Sequence, residues 1–154
     1  MSDPYYPHDV DCLWLAHDRN NHVGGFVTAG LGPIPVDLLD ENASKVRESG
    51  RLSSDLPKVS GSRLLVSFYK DASSFLDLAE RGIFVYDWSG IRKVDAQFVN
   101  AYQLVAVPTT PILLELLPDR LRALTSLVKF AANDFSEESF LKVHEYFPCR
   151  RGRC

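Results

Sequence analysis

Residues 12–28 read CLWLAHDRNNHVGGFVT, and this stretch decides the fold. Two apolar runs rich in β-forming residues, 12–17 and 23–28, flank the four polar residues 18–21. Asp and Asn tolerate the left-handed backbone angles of tight turns, so this arrangement is typical of a β-hairpin. The sequence therefore predicts an antiparallel hairpin over these residues.

The segments after the hairpin predict a helix and a loop. Residues 29–35 (AGLGPIP) turn the chain, and the apolar residues of the segment 36–47 follow the 3-4-3 spacing of a helix. Pro35 suits the first turn of that helix. Residues 48–62 are rich in Ser, Gly, Lys and Arg and contain a proline, which predicts a mobile surface loop.

Residues 64–86 predict a strand, a helix and a second strand. The run LLVSFY at residues 64–69 is rich in β-forming residues, and Asp71 stands where a helix N-cap belongs. Gly82 fits a left-handed cap at the C-terminus of that helix. The run IFVY at residues 83–86 then resumes as a strand.

The C-terminal half predicts shorter elements. We expect a turn at residues 87–90, a strand at 100–107, a helix at 119–127 with Pro118 in its first turn, and a strand at 128–131. The mainly apolar residues 112–117 fit a buried strand or part of a helix, and the flanking prolines favour the strand slightly. Residues 135–147 begin like a helix, although the alternation after residue 139 leaves a strand open.

The composition predicts a single globular domain. The 154 residues are 45% hydrophobic and 24% charged, with no repeat and no linker. We predict one α+β domain over residues 1–154, in which two to four helices pack against a mixed, mostly antiparallel sheet. The N-terminal segment 1–10 and the C-terminal tail 149–154 are expected to be flexible. The apolar stretches fall short of the roughly 20 residues that span a bilayer.

The charge distribution bears on partners. The net charge is −3, and three of the 17 basic residues, Arg150, Arg151 and Arg153, lie among the last five positions. The rest of the chain is more acidic, which disfavours nonspecific binding to nucleic acid and favours a basic partner. We therefore expect no nucleic-acid and no membrane partner. An acidic surface that serves only solubility stays open as an alternative.

The cysteines are expected to be reduced. The first eleven residues lack the basic and apolar regions of a signal peptide, so we expect a cytoplasmic protein with free thiols. Cys12 opens an apolar run and is expected in the core. Cys149 and Cys154 bracket basic residues, which leaves a reactive thiol pair as an alternative.

The sequence contains no strong signature of a catalytic, cofactor or metal site. There is no Gly-x-Ser-x-Gly elbow, and the glycines between residues 24 and 32 lack the spacing of a phosphate-binding loop. We expect these glycines to relieve crowding in a strand and to allow a tight bend. His17 and His22 flank the hairpin turn and are expected to oppose each other at the surface. Two such ligands without a nearby carboxylate or thiolate bind metal poorly, so we predict no cofactor and no metal.

Aromatic residues in turn-like sequence are better candidates for function. Tyr86, Asp87 and Trp88 form one cluster, and we predict that they contact a partner together with Asp18. Surface aromatics supply much of the binding energy in protein interfaces. The alternative is that Tyr86 and Trp88 cap the end of a sheet and are half buried.

Three motifs carry a resemblance to known proteins: WLAxD at residues 14–18, VxxFxTAGxGPIP at residues 23–35 and GIFVYDW at residues 82–88. They resemble small bacterial immunity proteins, which are encoded beside secreted antibacterial toxins of polymorphic or type VI secretion systems. These motifs span 25 of the 154 residues, about a sixth of the chain. Such families share no catalytic residues, so the resemblance implies none here.

The resemblance implies a stoichiometric function. The protein would bind a cognate toxin, for which a basic protein is expected, and block it by steric occlusion. A homo-oligomer is left open. The alternative function is a small cytoplasmic enzyme that uses Cys149 or a histidine.

Overall fold

The computed structural model describes residues 12–40, 43–88 and 100–150. Seven of its strands form one sheet in the order β4-β6-β5-β2-β1-β7, with β8 also paired to β6, and β3 pairs with β9 separately. The strands are β1 (Leu13–Asp18), β2 (Val23–Val27), β3 (Ile34–Pro35), β4 (Ser62–Leu64), β5 (Phe84–Asp87), β6 (Tyr102–Pro108), β7 (Lys129–Phe130), β8 (Phe140–Leu141) and β9 (Cys149–Arg150). The α-helices are α1 (Ser44–Ser53), α2 (Ser73–Glu80) and α3 (Asp119–Ser126).

The predicted fold class is confirmed. Strands β1 and β2 pair in antiparallel register, as do β5 with β6 and β4 with β6, whereas β2 and β5 run parallel. The described residues therefore form an α+β arrangement with three helices and a mixed, mostly antiparallel sheet. No helix in this part of the chain has the length and apolar character needed to cross a membrane.

The predicted hairpin is confirmed, and one carboxylate shapes its turn. Asp18 Oδ1 accepts the backbone N–H groups of Asn20 and His22, each at 2.9 Å. Asn21 has a φ of 62°, in the left-handed region that Asn tolerates. The turn residues therefore act as their chemistry predicts. The Asp18 carboxylate accepts backbone N–H groups that have no partner strand in the turn.

One face of the sheet is aromatic. Trp14, Phe26, Tyr86 and Tyr102 lie on four different strands and are fully buried. The ring of Phe26 stacks on Trp14 with centroids 4.2 Å apart and on Tyr86 at 4.9 Å. Strands β7 and β8 and the irregular segments beside them cover this face with further apolar residues, and Trp88 joins it at the end of β5; these are Trp88, Phe130, Phe135, Leu141 and Val143. We call this set the aromatic face.

The opposite face carries aliphatic residues and the helices. Leu15, Val23 and Val85 pack there with Ala79 of α2 and Leu121 of α3. Because neighbouring residues of a strand point to opposite faces, the hairpin supplies both cores. The sheet thus separates a helical layer from an irregular layer.

The helix predicted at residues 36–47 is wrong in position. Val36–Leu38 forms a single 3-10 turn, Leu39 is extended and α1 begins at Ser44. Asp40 accounts for the later start, since its carboxylate accepts the Ser44 hydroxyl at 2.7 Å and the Lys45 backbone N–H at 3.2 Å. The first residues of the predicted loop 48–62 therefore continue α1 as far as Ser53.

The predicted strand-helix-strand unit is largely confirmed. The N-cap of α2 is Ala72, one position after the predicted Asp71, whose Oδ1 accepts the Ser73 backbone N–H at 2.9 Å. Gly82 follows the helix with a φ of 93°, as predicted. Strand β5 follows as predicted. The first strand differs, because β4 is limited to Ser62–Leu64, although the Leu65 N–H still donates to the Val105 carbonyl of β6 at 2.8 Å.

The C-terminal elements include a correction. Strands β6 and β7 and helix α3 are confirmed, and Leu114–Leu116 is a 3-10 turn, neither of the two alternatives for residues 112–117. The helix predicted at residues 135–147 is wrong, since β8 and the 3-10 turn Val143–Glu145 take its place. Its carbonyl groups have other donors: Glu138 O accepts the Tyr86 hydroxyl at 2.6 Å and Ser139 O accepts the Leu104 N–H at 2.8 Å.

The predicted flexible ends and turn overlap the described residues only in part. Cys149–Arg150, the start of the predicted tail, forms β9 beside Ile34–Pro35, so these two residues are part of a sheet and not of a flexible tail. Residues 1–10 and 151–154 lie outside the described residues, as do residues 89–90 of the predicted turn 87–90.

The glycines of the hairpin and bend have the predicted steric role. A Cβ at Gly24 would lie 2.7 Å from Cε2 of Phe135, and one at Gly32 would lie 2.9 Å from Cβ of Trp88. Gly30 has a φ of 79°, which a glycine adopts at little cost. Both glycine contacts lie on the aromatic face, where buried rings leave no room for a methyl group.

We predict that Gly24→Ala destabilises the protein by about 1–3 kcal/mol, because the new methyl group must displace the buried ring of Phe135. The control is Gly50→Ala in α1, where the nearest atom to a new Cβ is 4.0 Å away. That substitution should be neutral or stabilise by up to about 1 kcal/mol. Urea unfolding measures both, and equal effects of the two substitutions would contradict the steric account.

Candidate functional site

The four predicted contact residues are buried. The exposed fractions are 0% for Asp18 and Tyr86, 4% for Asp87 and 8% for Trp88. Tyr86 and Trp88 belong to the aromatic face, and the Trp88 ring packs edge-on against Tyr102 with centroids 5.2 Å apart. The prediction that these side chains form an exposed contact cluster is therefore wrong, and even the half-buried alternative understates their burial.

Asp87 has a different role, since it positions another aromatic residue. The Tyr69 hydroxyl donates to Asp87 Oδ2. The Tyr69 ring in turn packs against Phe68 and Phe75, with centroids 4.6 and 4.7 Å apart. Asp87 thus anchors the segment that follows β4 to the sheet.

That segment carries exposed apolar side chains. Val59 is 56% exposed, Leu65 38% and Phe68 52%, so three of the seven large exposed apolar residues in the described chain fall within ten positions. We call these three residues the edge surface. They flank β4, which pairs with β6 on one side and with no other described strand on its remaining side.

Helix α2 holds the start of the edge surface in place. The backbone N–H groups of Val59 and Ser60 donate to the Glu80 carbonyl, each at 2.9 Å. Lys58 Nζ lies 2.7 Å from Asp77 and 3.3 Å from Glu80. These contacts order a segment that the sequence predicts to be a mobile loop.

Sequence reasoning missed the edge surface. The run LLVSFY predicts a strand, but its almost entirely apolar sequence does not indicate which side chains are exposed. The alternation appears only in the structure, where Leu64 and Val66 are half-buried whereas Leu65 and Ser67 are exposed. A period of two at the edge of a sheet places every second side chain in solvent.

A second polar arrangement joins the hairpin turn to residues 133–136. His22 Nδ1 lies 3.2 Å from Asp18 Oδ2 and 3.5 Å from Asp134 Oδ1. Asn20 Nδ2 donates to Asp134 Oδ2 at 2.9 Å, and Asp18 Oδ2 accepts the Phe135 backbone N–H at 2.7 Å. We call Asp18, His22 and Asp134 the polar cluster; their ligand atoms all lie within 4.8 Å of one another, close enough to share a metal ion.

Burial, hydrogen bonds and neighbouring charges shift the pKa values of Asp134 and Tyr86, in and beside the polar cluster. The Ser136 hydroxyl and backbone N–H, His22 and Asn20 outweigh burial and lower the pKa of Asp134 from its ordinary value of 3.8. Burial raises the pKa of Tyr86, and the carboxylates of Glu138, Asp18 and Asp134 raise it further. The tyrosine hydroxyl is therefore a neutral donor within a negative environment.

The two hairpin histidines do not oppose each other. His17 pairs in register with Val23 and points to the helical layer, where its Nδ1 lies 3.1 Å from the Thr125 carbonyl oxygen. His22 points to the aromatic face beside Phe84, with ring centroids 5.4 Å apart. The predicted pair is wrong because the turn places Asp18, not His17, opposite His22.

The residues of the enzyme alternative are dispersed. Cys149 lies in β9 beside Pro35, and the two hairpin histidines occupy opposite faces of the sheet. A cleft of about 520 Å³ opens between α1, α2 and the start of β1. Its described lining includes Cys12 and Arg47 but neither Cys149 nor a histidine.

Comparison with known proteins adds no relative: no protein family, no curated protein and no solved structure matches this chain. The motifs of the sequence resemblance can nevertheless be placed in the fold. Trp14, Phe26 and Tyr86 are interior residues, and Gly32 lies against Trp88. These motif residues therefore contribute to the aromatic face.

We predict that Asp18→Ala destabilises the protein by about 3 kcal/mol or more, since the backbone N–H groups of Asn20, His22 and Phe135 lose their acceptor. The control Asp37→Ala removes an exposed carboxylate and should change stability by less than about 0.5 kcal/mol. Equal effects of the two substitutions in urea unfolding would show that Asp18 is dispensable to the turn.

Asp134 should contribute a pH-dependent part of the stability. Its pKa is lower in the folded protein than its ordinary value of 3.8, so this contribution is present above that value and is lost as the pH falls through the folded pKa. Asp134→Asn should therefore lose less stability than the wild type when the pH is lowered from 5 to below 3. The free energy of unfolding of both proteins is measured by urea unfolding at each pH. An equal loss of stability in the wild type and in Asp134→Asn would contradict this assignment.

Proposed function

We propose that this protein binds a cognate antibacterial toxin and neutralises it by steric occlusion. The observation that supports the proposal is the edge surface, an ordered group of exposed apolar side chains beside β4, the last strand on its side of the described sheet. The motif resemblance to immunity proteins suggests the class of partner. No bond needs to be made or broken for this function, so it requires no catalytic residues.

The edge surface has the physical character of a protein-binding site. Phe68 exposes half of a large aromatic side chain, which burial in an interface would stabilise. The side of β4 that pairs with no other described strand would offer backbone N–H and C=O groups to a strand of a partner. Exposed strand edges promote aggregation unless they are covered. A partner strand that pairs with β4 would cover this edge.

The order of the edge surface favours binding. The Tyr69–Asp87 hydrogen bond and the contacts of residues 58–60 with α2 hold the segment before binding occurs. A surface that is already ordered loses less conformational entropy when a partner docks. Phe68 itself packs against the ring of Tyr69, with centroids 4.6 Å apart.

The charge of the chain suits a basic toxin. A net charge of −3 increases the rate of encounter with a basic protein at low salt, whereas the apolar residues determine how long the complex lasts. Arg63 and Lys70 are exposed near the edge surface. The long-range attraction to a basic toxin therefore arises from the net charge of the whole chain and not from the residues near the edge surface.

The test uses the product of a toxin-like gene adjacent to the gene for this chain. Co-expression should restore growth of a bacterium that produces the toxin, and the two proteins should co-purify at 1:1. We predict that Leu65→Asp combined with Phe68→Asp weakens the complex at least tenfold, because it places charges in an apolar contact. The readouts are growth and binding of the purified proteins.

The matched control is Leu116→Asp, which changes a leucine that is 70% exposed outside the edge surface. This variant should neutralise the toxin as the wild type does. Failure of the wild type to bind the toxin would overturn the proposed function. Equal loss of binding in the control would overturn the assignment of the edge surface, and toxin inactivation without a complex would favour an enzyme.

A further inference from the structure

The geometry of the polar cluster points to a binding site for one divalent transition-metal ion such as Zn²⁺. The ligand atoms are Asp18 Oδ2, His22 Nδ1 and Asp134 Oδ1, which approach from the hairpin turn and from a segment more than 100 positions later. An imidazole nitrogen with two carboxylate oxygens is a common ligand set for such ions. This inference does not rest on the proposed function.

The separations of the ligand atoms are the first argument. Ligands at zinc–nitrogen and zinc–oxygen distances of about 2.1 Å in a tetrahedron lie about 3.4 Å from one another. His22 Nδ1 lies 3.2 Å from one carboxylate oxygen and 3.5 Å from the other. Charge-assisted hydrogen bonds are shorter, at about 2.7–2.9 Å, so these separations fit ligands around a common ion better than direct pairing.

The number of protons that His22 Nδ1 can donate is the second argument. A single nitrogen carries at most one N–H, yet carboxylates from two segments converge on Nδ1. One hydrogen cannot point well at both oxygens, whereas an ion between the three atoms contacts all of them. The metal would also neutralise the two carboxylates, which otherwise repel each other.

The surroundings support a cation at this place. Asp18 is fully buried, and the carboxylates of the cluster and Glu138 act together on the Tyr86 hydroxyl, which locates negative charge there. The adjacent Arg19 contacts Glu137 at 4.0 Å and the Ala132 carbonyl at 3.4 Å. Its guanidinium is therefore engaged elsewhere.

Hydrogen bonds outside the cluster orient its ligands, as in established metal sites. The Phe135 N–H and the turn amides hold Asp18, and Ser136 and Asn20 hold Asp134. The side chain of His22 is 20% exposed and that of Asp134 11%, so water can reach the open fourth position. The bound ion would clamp the hairpin turn to residues 133–136.

The experiment titrates chelator-treated protein with Zn²⁺ alone and follows binding by calorimetry and by the melting temperature. We expect one ion per chain and a rise in Tm of roughly 5–10 °C at about 100 times the Kd. The variant His22→Gln keeps an N–H donor for Asp18 but removes the imidazole ligand, so it should fold and lose both responses. Circular dichroism checks that this variant folds. Asp134→Asn removes a second ligand and should also lose Zn²⁺ binding and the rise in Tm.

Two control variants separate this site from other ligands. His144→Gln and Cys149→Ser change ligand types outside the polar cluster and should bind Zn²⁺ as the wild type does. With Co²⁺ as the probe, visible d–d bands should appear without thiolate charge-transfer bands. Absence of binding by the wild type, undiminished binding by His22→Gln or a thiolate spectrum would each overturn the inference.

Discussion

The ring of Phe26 lies at the centre of the aromatic face, and its contacts connect elements that are far apart in the chain. It touches Trp14 on β1, Tyr86 on β5 and Tyr102 on β6, with centroids 4.2, 4.9 and 5.2 Å away. Phe135 approaches it from the irregular layer at 5.9 Å. Removing one such buried ring typically costs about 3–5 kcal/mol, so the arrangement of the other elements depends on this packing.

The polar ends of these aromatic residues order the segments without regular secondary structure. Trp14 Nε1 donates to the Tyr102 hydroxyl at 3.2 Å, and that hydroxyl donates to the Pro33 carbonyl at 2.9 Å. Tyr86 likewise donates to the Glu138 carbonyl. Because a buried polar group must be paired, each ring also fixes the path of a distant loop. This explains how an irregular layer can cover the sheet in a defined conformation.

The sequence predicted the elements whose signals are local. The hairpin, the end of α2 at Gly82 and the steric role of Gly24 follow from turn chemistry and from the small size of glycine. The predicted helix after residue 135 failed because Tyr86 and Leu104 take its carbonyl groups, which no local pattern reveals. The polar cluster was missed for the same reason, since Asp134 reaches His22 only through the fold.

The interior position of the motif residues bears on how a protein of this kind can change its partner. Trp14, Phe26 and Tyr86 cannot be replaced without repacking the aromatic face, whereas Leu65 and Phe68 project into solvent. Substitutions at exposed positions usually change stability by less than about 0.5 kcal/mol. A toxin-binding surface built from such residues can therefore be altered while the fold is retained. Under the proposed function, the resemblance in sequence would report the scaffold, and specificity would lie in the edge surface.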